Sequence, residues 1–127
     1  MRELFFSSDQ HFGDRSALRY RPQFSTVEEM DEHFIELWNK TVPKDAHVIH
    51  VGDFAVSVAI AKAIRPRLNG VIDLVVGNHD RIIPLANAGL FAEMSMWRIM
   101  RMHKMVVTHL PLIRSENKFK LLNVHGY

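Results

Sequence analysis

Apolar residues along this chain gather in short runs that each end in Asp, Asn or His. Leu4-Phe5-Phe6 leads through Ser7-Ser8 to Asp9-Gln10-His11, and Val48-Ile49-His50-Val51 leads to Gly52-Asp53. Val71-Ile72-Asp73-Leu74-Val75-Val76 leads to Gly77-Asn78-His79-Asp80, and Met105-Val106-Val107-Thr108 leads to His109. Runs of this length, rich in β-branched and aliphatic residues, predict buried strands. The polar clusters then fall at carboxyl ends of strands, where open α/β sheets build their sites.

Between the first runs the period changes to that of helices. Val27, Met30, Phe34, Leu37, Trp38 and Thr41 recur at helical spacing behind Thr26-Val27-Glu28-Glu29, a capping-box signature, and Pro43 ends the segment. Val58 to Ile64 predicts a short helix stopped by Pro66, and Leu68-Asn69-Gly70 a turn before the third strand. Arg81 to Leu90 reads as helix or irregular chain, with Pro84 inside it. The order β-α-β-α-β implies a parallel sheet. Phe12 to Phe24 reads as a basic loop carrying Arg15, Arg19 and Arg21, either solvated or forming a cationic rim suited to phosphate. Met94 to Met102 and Lys104 to Thr108 read as two strands joined by a turn at Met102-His103, and Lys120 to Val124 as a last strand. Five of the seven methionines lie between Met94 and Met105, a pattern of adaptable packing or of self-association.

Composition narrows the chemistry. At 127 residues the chain is read as one domain, 1–127. Hydrophobic and charged contents of 47% and 24% are those of a globular protein, and no run of eighteen apolar residues is present. The N-terminus reads as a strand without a signal-peptide core, so the expected location is cytoplasmic, with no membrane partner. Cys is 0, which leaves only oxygen and imidazole nitrogen to hold a metal. A net charge of +2 does not by itself point to nucleic acid. Two Asp, one Asn and two His at strand ends form a donor set for divalent transition metals rather than calcium, with more donors than one open metal site takes.

On these residues the chain resembles the calcineurin-like metallophosphoesterase superfamily, and in particular its small phage and bacterial members. The matching stretches are Ser8-Asp9-Gln10-His11-Phe12-Gly13, Arg21-Pro22, Glu28-Glu29-Met30, Trp38-Asn39, His50-Val51-Gly52-Asp53-Phe54, Leu68-Asn69-Gly70, Gly77-Asn78-His79-Asp80 and Thr108-His109. The resemblance implies an α/β fold, a two-sheet β-sandwich flanked by helices, and hydrolysis of phosphomonoesters or phosphodiesters at a dinuclear metal centre. Mn²⁺, Fe or Ni²⁺ are the expected ions, with Zn²⁺ as an alternative. It further implies that Asp9 and His11 hold one metal, Asn78 and His109 the other, and Asp53 bridges them. His79 would serve the leaving oxygen and Asp80 would orient His79. Two cations about 4 Å apart acidify a water and clamp both oxygens of an in-line displacement.

The resemblance breaks at the end. Family members continue with Gly-His-x-His, whereas Gly126 is followed by Tyr127. The expectation is therefore a C-terminally short form, missing its last strands, with each metal one ligand short. A bared sheet edge would favour a homodimer, with His125 or His103 as candidates to complete a site. The expected partner is a phosphate ester, a nucleotide included. The rival readings are a catalytically impaired binding module on the same fold, and a nuclease. A nuclease needs a long basic groove, and only scattered Arg65, Arg67, Arg98 and Arg101 are available.

Overall fold

A computed structural model of the chain describes residues 2–112 and 121–126. Expectations placed on Lys120 and Tyr127 lie outside these residues.

The first sheet is built by a repeated strand–helix unit. Strands β1 (Leu4–Ser7), β2 (His47–His50), β3 (Val71–Val75) and β4 (Glu93–Ser95) are joined through helices α1 (Val27–Thr41), α2 (Val58–Ile64) and α3 (Ile82–Ala88). The strands are parallel and lie in sequence order, β1-β2-β3-β4. The second sheet has the order β5-β6-β7: β5 (Trp97–Met100) runs antiparallel to β6 (Met105–Thr108), which pairs in parallel with β7 (Leu122–His125). The class is α/β.

Alternation along the central strands explains why they read as unbroken apolar runs. Val48, Ile72 and Leu74 pack with Ile35 and Trp38 of α1, Ala61 and Ile64 of α2, and Leu85 of α3. The intervening Ile49 and Val75, with Val51 just beyond β2, meet Val107 of the second sheet. A strand covered on both faces has no polar side to show.

The helix boundaries follow local rules. Thr26 caps α1, its hydroxyl accepting from the Glu29 amide at 3.1 Å, while the Glu29 carboxylate takes the Ser25 amide at 3.1 Å. Ser57 caps α2 in the same way. Pro84 falls in the first turn of α3, where its missing amide is not needed, so the segment is helical rather than irregular. Part of the basic loop winds into a 3₁₀ turn, Arg15–Arg19, capped by Asp14. No described helix is long and apolar enough to cross a membrane.

The segment expected as one strand, Met94 to Met102, is two. It breaks at Met96, and the chain passes from β3's edge in one sheet to β6's edge in the other. The methionines divide accordingly. Met94 packs on the helix-side core and Met100 on the layer between the sheets, whereas Met96 and Met102 are exposed.

Asp73 interrupts the apolar run of β3 on the face turned to the second sheet. It is buried, takes the His47 ring Nε2 at 2.6 Å, and accepts from the Arg98 guanidinium reaching across from β5. This ion group ties the two layers together. Removing one partner of such a group strands the others in a poorly solvated place. Asp73→Ala is expected to lower stability by about 3 kcal/mol, read as a shift in the urea unfolding midpoint with little change in slope. A change under about 0.5 kcal/mol, the range of ordinary surface substitutions, would show that Arg98 and His47 do not depend on it.

Candidate metal centre

Four turns at strand ends converge. The turn after β1 runs alongside the turn after β2, with Asp9 N donating to Gly52 O at 3.0 Å, His11 N to Asp53 O at 3.1 Å and Phe12 N to Phe54 O at 3.0 Å. Asp9, His11 and Asp53 all have left-handed backbones, with φ of 58°, 54° and 56°. Asp and His tolerate this region better than bulkier residues, but each still stores strain. Arg21 holds the first turn in place. Its guanidinium donates to the carbonyls of Gln10 at 2.6 Å and Asp9 at 2.7 Å and stacks over Phe34. Arg21 is thus a strut for the backbone.

Two glycines allow the close approach. A Cβ on Gly52 would sit 2.5 Å from His109 Nδ1 and 2.7 Å from the Gly77 Cα, and one on Gly77 would strike the Asp53 carboxylate. Gly126 lies equally tight against Ser8 and Asp9, so the chain beyond β7 passes beside the first turn. His125 is exposed at the end of β7, paired in register with Thr108.

Asp53 is the centre of the cluster. Its buried Oδ2 lies 3.5 Å from His11 Nε2, 3.4 Å from His109 Nε2 and 2.8 Å from His79 Nδ1, and its Oδ1 accepts from the His79 amide at 2.8 Å. Burial pushes its carboxyl up, but the bonds from His79 and the neighbouring imidazoles outweigh it and hold it below its ordinary value. The bond to Asp53 in turn raises the His79 imidazole.

The two inner imidazoles are oriented alike. His109, buried, has Nδ1 at 2.7 Å from the Val51 carbonyl, and His11 has Nδ1 at 3.3 Å from Asp14 Oδ2. With each Nδ1 turned to an acceptor, both Nε2 atoms face Asp53. His109 Nε2 also lies 2.9 Å from Asn78 Oδ1, and His11 Nε2 3.6 Å from Asp9 Oδ1. An imidazole anchored through its far nitrogen by a carbonyl or carboxylate is how metal ligands are held. The donor set therefore fits divalent transition metals.

Among the described residues, two trios have donor atoms within 4.8 Å of one another: His11, Asp53 and His79, and Asp9, Asp53 and His109. Asp53 is common to both. Asn78, an amide, stands outside those trios, but the expected pairs are also side by side, Asp9 with His11 at 3.6 Å and Asn78 with His109 at 2.9 Å.

Asp80 requires a correction. It was expected to orient His79, but its buried carboxylate accepts from the amides of Asp53 at 2.7 Å, Phe54 at 3.0 Å and Gly77 at 2.8 Å. Burial raises its pKa against the pull of those amides. Its work is on the backbone, fastening the turn after β3 to the turn after β2.

Several supports escape sequence reasoning. Asp14 braces His11 from three residues on, a spacing that signals contact only once the turn is known. Asp31 of α1 takes the Gly13 amide at 3.0 Å. His50 has its Nε2 2.5 Å from the Gln10 side-chain oxygen and its Nδ1 accepting from the Gly52 amide at 3.2 Å, while Gln10 reaches Ser7. Burial drives His50 down to about 3, so it works as a neutral link.

No family model matches the chain. An uncharacterized protein of Methanocaldococcus jannaschii is similar to it, 40% identical over 86 residues, which are 64% of this chain and 48% of that protein. The chain thus spans about half the length of the curated relative it matches. Among solved structures, a protein of unknown function from Aquifex aeolicus has the same fold, with a TM-score of 0.68 at 21% identity over 87% of this chain and 62% of that one.

Metal affinity is expected to fall on acidification, because protons compete with a cation for each imidazole lone pair. Asp53, held below its ordinary range, stays ionised while this happens. Titration with Mn²⁺ at falling pH, followed by calorimetry, measures it. Affinity that is flat across the imidazole range would remove His11 and His109 from the ligand set.

Proposed function

We propose that the chain is a metal-dependent phosphohydrolase of the calcineurin-like metallophosphoesterase type, acting on phosphomonoesters or phosphodiesters. The observation that carries this reading is the pair of anchored imidazoles, His11 and His109, whose Nε2 atoms converge on one oxygen of Asp53. The order of the two sheets and the helices agrees with the sandwich that the motifs imply.

Asp9, His11, Asp53, Asn78 and His109 would hold two divalent ions, Mn²⁺, Fe or Ni²⁺ by the softness of the donors. Such ions supply positive charge that acidifies water and neutralises phosphoryl oxygens. The rest falls to the chain. Asp53 stays ionised because His79 and the imidazoles stabilise its charge. His79, with a side chain 63% exposed and its Nδ1 tied to Asp53, presents the other ring edge outward. Its raised pKa suits it to deliver a proton to a leaving oxygen.

Three of the four arginines named for the nuclease reading are engaged within the chain. Arg65 is spent on the carbonyls of Leu68, Gly70 and Leu90, Arg67 pairs with Glu32, and Arg98 pairs with Asp73.

The test is turnover of 4-nitrophenyl phosphate and bis(4-nitrophenyl) phosphate by chelator-stripped protein, with and without added Mn²⁺, alongside elemental analysis. Asp53→Ala is expected to abolish both bound metal and turnover. His79→Ala is expected to keep its metal and lose about 10²–10⁴-fold in rate. Loss of metal in parallel with rate would make His79 a ligand instead. Full metal content in Asp53→Ala would end the dinuclear assignment.

A further inference from the structure

The candidate centre lies between two hollows of unlike chemistry. On one side Asp9, His11, Asp14, Arg21 and His79 line a space of about 380 Å³. On the other, Asn78 and His109 line a space of about 670 Å³ together with Ile82, Met96, Trp97, Ile99 and Leu110. Asp80 is the one carboxylate among the described residues on that second wall, and three backbone amides occupy it. Trp97 and Met96 are 62% and 66% exposed. Concave apolar space of this size, with a few polar groups in its lining, is the usual build of a small-ligand site.

We propose that this hollow receives an apolar arm of the substrate, and that the substrate is a phosphodiester which keeps that arm on phosphorus. The inference rests on the phosphohydrolase reading above. His79, the group placed to serve the leaving oxygen, lines the polar hollow and is not part of the apolar wall. The leaving alcohol therefore belongs on the His79 side. An arm lying past Asn78 and His109 occupies a different position on phosphorus from the leaving oxygen, beside the line of attack, and stays attached. A monoester has no second arm and would leave this space unused. In the reaction a water oxygen bonds to phosphorus and the P–O bond to the polar alcohol breaks. That oxygen takes the proton of His79, the water's proton passes to solvent, and His79 is reprotonated from solvent. The products are the polar alcohol and the phosphomonoester of the apolar one.

Two diesters with one leaving group, hexyl 4-nitrophenyl phosphate and methyl 4-nitrophenyl phosphate, test this with the Mn²⁺-loaded chain. Hexyl methylphosphonate and methyl methylphosphonate, which lack the scissile bond, test binding alone through the fluorescence of Trp97; the second tryptophan, Trp38, is buried. The hexyl member is expected to win by about 10-fold or more in kcat/KM and in Kd, the scale of apolar-pocket discrimination. Trp97→Ser, with its binding followed by calorimetry since the reporter is gone, should shrink both ratios. Equal binding of the two phosphonates would overturn the proposal whether or not either diester turns over. Tight hexyl phosphonate binding without turnover of any diester would uphold the apolar arm and fail the phosphohydrolase reading. A chain that is dimeric with Trp97 shielded from quencher, and monomeric as Trp97→Ser, would give the hollow to a second copy and overturn the proposal.

Discussion

The site depends on one carboxylate that touches no ligand. Asp80 gathers the amides of Gly77, Asp53 and Phe54 onto its two oxygens, and so sets how far the turn after β3 stands from the turn after β2. Each buried amide left unpaired would cost about 1–3 kcal/mol. No backbone acceptor can serve three amides from two separate turns at once. With the turns fixed, the separation between Asn78 and Asp53 is no longer free to vary. Gly52 and Gly77 are the other half of the same constraint, because a side chain on either would fill the gap that Asp80 closes.

Around that clamp the strain is visible and has a purpose. Asp9, His11 and Asp53 each sit in left-handed backbone, at a cost of about 1–3 kcal/mol apiece. Arg21, Asp31, Gln10 and His50 supply the hydrogen bonds that hold those turns against relaxing. The side chains aimed at the centre are thereby presented by backbone that has been fixed before any ligand arrives, which is what preorganisation requires.

The strands and the polar residues at their ends are legible because two-sided burial forces apolar runs, and a site residue then stands out as an interruption. The helices are legible from period and caps. The second sheet is less so: nothing at Met96 marks the crossing between layers, since no Gly or Pro is needed where the chain bends without a left-handed residue. Pro84 suggests a break that its place in a first turn removes. The braces are the least legible. Asp14, Gln10, Asp31 and Asp80 are ordinary polar residues whose partners, side chains or backbone amides, lie far away in sequence or are hidden in a turn, and such pairings leave no periodic trace. Asp80 beside His79 suggests a side-chain pair, yet the competing demand of three buried amides decides where it points.

His109 arrives from β6, in the second sheet, while Asp9, Asp53 and Asn78 hang from the first. A cation held among them, as proposed above, would be a cross-link between layers as well as a reagent. Across the rest of the interface, among the described residues, Arg98 joins the sheets through charge to Asp73 and Glu93, with Ile49, Val51, Val75 and Val107 supplying apolar contact. On that reading ion binding and the docking of the second sheet would be one linked equilibrium, with occupancy of the centre helping to hold the layers together.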